Sequence, residues 1–197
     1  MPESGRVWGL VLSGGRSSRM GRDKALLINE GQTQLARMVR LLERHVDRVF
    51  VSARPEQAGD PERSRYELIV DRYENMGPVA GILSAFDENP HVAWLVLACD
   101  LPNVDDETLE ALLKGRRPGN AFTAYRSSSD GLPEPLCAVY EPGARMLVKQ
   151  FVEAGITCPR KMMIRAAAEL LEQPRPEALD NINTPAELEQ SRLGMTR

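Results

Sequence analysis

Apolar and polar positions change period repeatedly along the chain. Short aliphatic or β-branched runs at Val7–Leu12, Arg48–Ala53, Glu67–Val70, Val92–Ala98, Ala121–Tyr125 and Leu136–Tyr140 predict strands. Between the first two, Leu35, Met38, Val39, Leu42 and Val46 recur at helical spacing and form one apolar helix face. A second helix is predicted over Val79–Asp87, and a third carries Leu109, Leu112 and Leu113 behind an Asp105 cap. Pro142 and Gly155 bracket a fourth in the expected order, proline inside the start and glycine past the end. Thr184-Pro185-Ala186-Glu187 supplies an N-cap, a proline at the first helical position and a capping-box glutamate ahead of Leu188, which predicts a last helix.

Alternating strands and helices imply a mostly parallel central sheet with helices on both faces, because each parallel pair needs a crossover connection. The expected class is therefore a three-layer α/β/α, Rossmann-like architecture. Such sheets bind ligands at the carboxyl ends of their strands, so irregular residues just after strands are the first functional candidates. No internal repeat, low-complexity tract or domain boundary interrupts residues 1–197, which read as one domain. The polar stretches Arg54–Arg65 and Ser127–Pro133, bearing proline or glycine, read as surface loops within it.

Composition narrows the function. The chain has 197 residues, 42% hydrophobic and 27% charged, with 25 basic against 28 acidic side chains and a net charge of -3. That balance, with no basic tail, leaves no electrostatic footprint for nucleic acid. Cys99, Cys137 and Cys158 are odd in number and form no C-x-x-C pair, which argues against a disulfide framework or a zinc ribbon and for a reducing, cytoplasmic setting. The longest apolar run, Val92–Cys99, is far short of the roughly 20 residues that span a bilayer. His45 and His91 lack metal-ligand spacing. Small-molecule chemistry is the expectation.

The densest signal is Leu12-Ser13-Gly14-Gly15-Arg16-Ser17-Ser18-Arg19-Met20-Gly21-Arg22-Asp23-Lys24, directly after the first strand. Paired glycines let backbone N–H groups approach an anion closely, a geometry suited to phosphate oxygens. Arg19 can grip a phosphate bidentately, and Lys24 can act as a movable point charge. The stretch has neither G-x-x-x-x-G-K-[ST] nor G-x-G-x-x-G, so it is neither a Walker loop nor a dinucleotide fingerprint. A solvated basic turn is the competing reading.

Asp71 and Asp100 each follow a strand and sit where it opens onto the ligand face. Mg²⁺ takes one or two protein carboxylates plus phosphate oxygens, and this supply fits a nucleotide-bound magnesium. In Asp100-Leu101-Pro102 the proline stops the strand and holds the carboxylate in a turn. The competing reading of both aspartates is ordinary turn chemistry. Gly77 and Gly81, in Gly77-Pro78-Val79-Ala80-Gly81, would let backbone lie flat against a base. Asn181 and Asn183 alternate and face one way on an extended segment, where they either read a polar acceptor or serve capping. Arg160 and Lys161 offer either a phosphate contact or a solvated basic pair.

Leu-Ser-Gly-Gly-x-Ser-x-Arg-Met-Gly-x-Asp-Lys, Asp-x-Pro at Asp100, Gly-Pro-x-x-Gly from Gly77 and Asn-x-Asn-Thr-Pro from Asn181 occur in the order found in nucleotidyltransferases with a glycosyltransferase-A-like fold. The chain most resembles the MobA-like, molybdenum cofactor guanylyltransferase family. The resemblance implies that Leu12, Ser13, Gly14, Gly15, Arg19, Lys24, Ser52, Asp71, Gly77, Pro78 and Asp100 bind the nucleotide, that Asp100 binds Mg²⁺, and that Asn181 and Asn183 face the acceptor. It implies a nucleotide-binding amino-terminal half and an acceptor-binding carboxyl-terminal half, entered by Glu134–Tyr140. By the same resemblance GTP is the donor, molybdopterin the acceptor, and cofactor delivery or insertion proteins are partners. Ser13 stands where the family's wording is alanine, and Ser52 where it commonly has asparagine. Serine lacks the paired donor and acceptor of a carboxamide, which leaves the base open. A cytidylyltransferase, a sugar- or alcohol-phosphate nucleotidyltransferase, and a non-catalytic nucleotide sensor remain the alternatives.

Overall fold

The structure, a computed structural model, describes residues 5–14, 23–29 and 31–180. Strand β1 (Val7–Leu12) is followed by a 3-10 turn (Lys24–Leu26), the small hairpin β2 (Ile28–Asn29) and β3 (Gln32–Thr33), then helix α1 (Gln34–Glu43). Next come β4 (Val49–Ala53), 3-10 turns at Pro55–Gln57 and Arg63–Arg65, β5 (Glu67–Val70), α2 (Pro78–Glu88), β6 (Ala93–Ala98) and α3 (Asp106–Gly115). Strands β7 (Phe122–Arg126) and β8 (Pro133–Tyr140), helices α4 (Ala144–Glu153) and α5 (Pro159–Arg165), and β9 (Glu169–Leu171) complete the order.

One seven-stranded sheet runs β5-β4-β1-β6-β8-β7-β9. Neighbours are parallel except β8, which is antiparallel to both β6 and β7. The expected three layers are present. On one face Trp8, Leu10, Phe50, Trp94 and Val96 pack with Ile82 and Phe86 of α2, Val148 of α4 and Met162 of α5. On the other, Val11, Val51, Leu95 and Leu97 meet Leu35, Met38 and Leu42 of α1 and Leu109 and Leu112 of α3. Burial on both faces explains why the central strands are continuous apolar runs rather than alternating ones. All six residues of β6 are buried.

The Asp105 cap is as expected, whereas Pro142 lies outside α4, whose N-cap is Gly143. The Asp105 carboxylate accepts from the Thr108 N–H at 3.0 Å and starts α3, and the Thr33 hydroxyl does the same for α1 through Ala36 N–H at 3.0 Å. No helix among the described residues is long and apolar enough to cross a membrane.

Several expectations are revised. Strand β8 begins at Pro133 rather than Leu136, the ring sitting at the first strand residue where a missing N–H is tolerated. The register of β7 against β8 shifts between Ala124 and Tyr125, so the longer strand bulges there. The stretch Arg54–Arg65 is more than a surface loop: it holds two 3-10 turns, and Arg63 is only 1% exposed. The helix expected from Thr184 lies outside the described residues.

Candidate functional site

Parallel register aligns the carboxyl ends of β1, β4 and β6. Leu12 lies opposite Ser52 on one side and Ala98 on the other, and Ser52 lies opposite Ile69 of β5. The ladder continues past the strand ends: Ser13 N–H donates to Ser52 C=O at 3.1 Å, Asp71 N–H to Ala53 C=O at 2.9 Å, and Cys99 N–H to Leu12 C=O at 3.3 Å. Ser13, Asp71 and Asp100 are thereby carried to one rim, which borders a cavity of about 1000 Å³. That volume is at the upper end of what a nucleotide-sized ligand needs.

Leu12, Ser13, Gly14, Lys24, Ser52, Asp71, Gly77, Pro78 and Asp100, all singled out from the sequence, line this single cavity. Gly15, Arg19, Asn181 and Asn183 lie outside the described residues. Arg160 pairs with Asp130 at 2.9 Å and with Glu134 at 3.1 Å, and neither it nor exposed Lys161 borders the cavity.

The two aspartates sit in different surroundings. The Ser52 hydroxyl donates to Asp71 Oδ1 at 2.7 Å, while Asp71 Oδ2 faces Gly14. Burial pushes the Asp71 carboxyl above the usual aspartate range, against the opposing pull of the Ser52 hydrogen bond and the Arg54 guanidinium. Burial also raises Asp100, opposed by the Lys24 ammonium. Asp100 Oδ1 is buried with no hydrogen-bond partner among the described residues. A buried carboxylate oxygen left unmatched is costly and calls for a partner beyond the described residues. Among the described residues no three His, Cys, Asp or Glu side chains gather as a metal cage. A single orphaned carboxylate suits Mg²⁺, which takes few protein ligands and fills its shell with phosphate and water oxygens.

The opposite wall is the segment between β5 and α2. Arg72 N–H donates to Ser84 Oγ of α2 at 2.8 Å, and the Tyr73 hydroxyl reaches Asp87 at 2.5 Å. Asp87 is also held by Arg145 and Lys149 of α4 at 3.2 and 3.3 Å. At the start of α2, Gly77 has φ of +55°, a conformation that favours glycine. Gly81 is required by space instead: a side chain there would collide with the Ser52 hydroxyl and with Leu12.

Sequence reasoning missed a support beneath the site. Arg63 donates from Nε to Ser13 Oγ at 3.0 Å, and from Nη2 to Ser13 C=O at 3.0 Å and to Asp23 Oδ2 at 2.6 Å. Gln57 Nε2 also donates to Asp23 Oδ2, at 3.2 Å, and its Oε1 accepts from Arg54 N–H. A buried arginine in a polar stretch has no period to reveal it. The available signal was Ser13 itself, a hydroxyl where the resemblance expects alanine.

The family model described as MobA-like NTP transferase domain matches residues 9–171. The chain is 31% identical over 188 residues to the molybdenum cofactor guanylyltransferase of Pseudomonas putida, covering 91% of this chain and 94% of that protein. It is 37% identical over 179 residues to the molybdenum cofactor biosynthesis bifunctional protein of Synechocystis, covering 91% of this chain but 52%, about half, of that longer protein. Among solved structures, molybdopterin-guanine dinucleotide biosynthesis protein A from Archaeoglobus fulgidus superposes with a TM-score of 0.78 at 25% identity, covering 96% of this chain and 98% of that one.

Proposed function

The chain belongs to the MobA-like NTP transferase family, whose chemistry is nucleotidyl transfer, and on that premise we propose that it transfers GMP from GTP to molybdopterin carrying its metal. A terminal phosphate oxygen of the acceptor bonds to the α-phosphorus of GTP as the bond from that phosphorus to the β-phosphate bridge breaks, and pyrophosphate leaves. Catalysis of this kind is mainly positioning and charge neutralisation. The observation that carries the reading is the convergence of Lys24, Asp71 and Asp100 on one cavity at the carboxyl ends of parallel strands.

In this reading the Gly14 backbone and the Lys24 ammonium hold the triphosphate, a role the family resemblance also assigns to Gly15 and Arg19. Gly77, Pro78 and Gly81 form the flat wall against which the base lies, and Asp71, fixed by Ser52, faces the nucleoside. Asp100, with its buried Oδ1, would hold Mg²⁺, which would supply charge neutralisation to the phosphate oxygens. The acceptor phosphate is already largely ionised near neutral pH, its second pKa being about 6, so no general base is needed. Asn181 and Asn183 are assigned to the acceptor, with delivery or insertion proteins supplying or receiving the cofactor. We further assign residues 1–197 to one domain, nucleotide in its first half and acceptor in its second. Cys99 and Cys137 are buried and unpaired, which suits a reducing cytoplasm.

Pyrophosphate release measured with molybdopterin, Mg²⁺ and each nucleoside triphosphate tests the reading. Turnover with GTP and little with CTP is expected. Selective turnover with CTP would reassign the base, turnover only with a sugar or alcohol phosphate would reassign the acceptor, and nucleotide binding without turnover on any acceptor would make the protein a sensor.

A further inference from the structure

The segment that links β1 to Lys24 has its two ends tied by one side chain. Ser13 and Asp23 are ten positions apart in sequence, and the Arg63 guanidinium bonds to both. Each partner is tied onward. The Ser13 hydroxyl donates to Ser52 C=O at 2.8 Å, which leaves its lone pairs to accept from Arg63. Asp23 Oδ1 accepts from Ala25 N–H at 3.1 Å and caps the 3-10 turn that begins with Lys24. Arg63 is itself fixed from below, its backbone N–H donating to Asp60 Oδ1 at 3.1 Å. The guanidinium is almost wholly buried, whereas Asp23 is 26% exposed at the rim.

The arrangement uses what arginine alone offers. Its planar fork directs several donors at fixed angles, so Nε and Nη2 can hold a hydroxyl, a carbonyl and a carboxylate at once. A lysine ammonium at the same place is a single point that cannot reach both ends in one geometry. A rigid support is what a phosphate cradle needs, because displacement of a binding group by about 1 Å can cost 10²-fold in rate.

We propose that Arg63 is a positioning residue for the triphosphate: by clamping Ser13 to Asp23 it sets the placement of the Gly14 backbone and the Lys24 ammonium without touching the nucleotide. Ser13 is then the second half of the device, a hydroxyl that couples the clamp to β4. The proposal rests on the reading that Gly14 and Lys24 bind the phosphates.

The test measures dissociation constants of GTP and GMP, each with Mg²⁺, for the full chain and for Arg63→Lys and Ser13→Ala, alongside thermal unfolding of each. The expected result is a GTP affinity lower by about tenfold or more in Arg63→Lys and by about threefold in Ser13→Ala, with GMP affinity changed less than twofold. A merely structural role would weaken both ligands alike or neither, and an unchanged ratio of GTP to GMP affinity in folded Arg63→Lys would overturn the proposal. If Arg63→Lys does not fold, Ser13→Ala decides alone, since it retains the Arg63 pair with Asp23, and an unchanged ratio there has the same force. A wild-type protein that binds GTP no more tightly than GMP would instead remove the underlying reading of Gly14 and Lys24.

Discussion

The two ends of the sheet treat buried charge in opposite ways. At the end away from the cavity, Arg116 meets Glu141 through two hydrogen bonds, Nε to Oε1 at 2.5 Å and Nη2 to Oε2 at 2.7 Å, and its Nη1 donates to Gly5 C=O at 2.9 Å. Every charged atom of that pair has a partner within the chain, and the contact fastens the entry to β1 onto the residue after β8. At the cavity end, Asp71 and Asp100 are half-buried with their pKa values pushed up, and Asp100 keeps a buried oxygen without a partner among the described residues. The first end is saturated, and the second is held ready for a ligand at a cost to the empty protein. Arg63 belongs to the second end in position but resembles the first in its pairing, as expected of a support that must not move.

That contrast can be broken from either side. The largest effect is expected from Arg116→Met, which strands Glu141 at 3% exposure and should destabilise the fold by about 3–5 kcal/mol. Denaturant titration checks this, and the kcat of the surviving folded fraction should be unchanged. Lys24→Ala should do the reverse, lowering kcat by on the order of 10²–10³ in steady-state assays while leaving the unfolding midpoint close to wild type. Next in size is the effect of filling the cavity: GTP with Mg²⁺ at 100 times its dissociation constant should add about 2.7 kcal/mol, or roughly 5–10 °C in midpoint. Chelation of the metal by EDTA should remove most of that protection.

The smallest effect concerns Asp71. Its folded pKa is raised, so the folded chain binds the proton more tightly than the unfolded chain does. That stabilisation is complete below the unfolded pKa and is lost as pH rises through the folded value. At neutral pH the ionised carboxylate therefore weighs against the fold. Asp71→Asn should raise the unfolding temperature of the ligand-free protein at pH 7, with the gain shrinking as the pH falls into the ordinary carboxylate range. A midpoint difference that does not change with pH would show that the buried charge is not its cause.

What the sequence revealed follows from which interactions are periodic. Strand β1 has the predicted bounds, and β4, β5 and β6 agree to within a residue, because burial on both faces writes a dense apolar run. Asp105 was legible as a cap because its partner lies three residues away. Helix α5 and strand β9 were not, being seven and three residues long with too few turns or alternations to establish a period. The hairpin of β2 and β3 has two residues per strand and escaped for the same reason. In the candidate site, residues carried by motifs, such as Lys24, Asp71 and Asp100, were visible. Arg63 was not, since its partners stand 40 and 50 positions away and its burial depends on all of them.

The route of the chain through the sheet also dictates when the cavity can first exist. Its walls come from the ends of β1, β4 and β6, from residues 71–78 with Ala80 and Gly81 of α2, and from Leu136 of β8, and β1 is hydrogen-bonded between strands that follow it by about 40 and 85 residues. During synthesis, then, the chain must emerge beyond Leu136 before the last wall can close. If the cavity binds the triphosphate as proposed, an emerging chain stalled ahead of Pro133 would present Lys24, Asp71 and Asp100 yet lack the Leu136 wall, and full affinity is expected only once the reversed strand has docked.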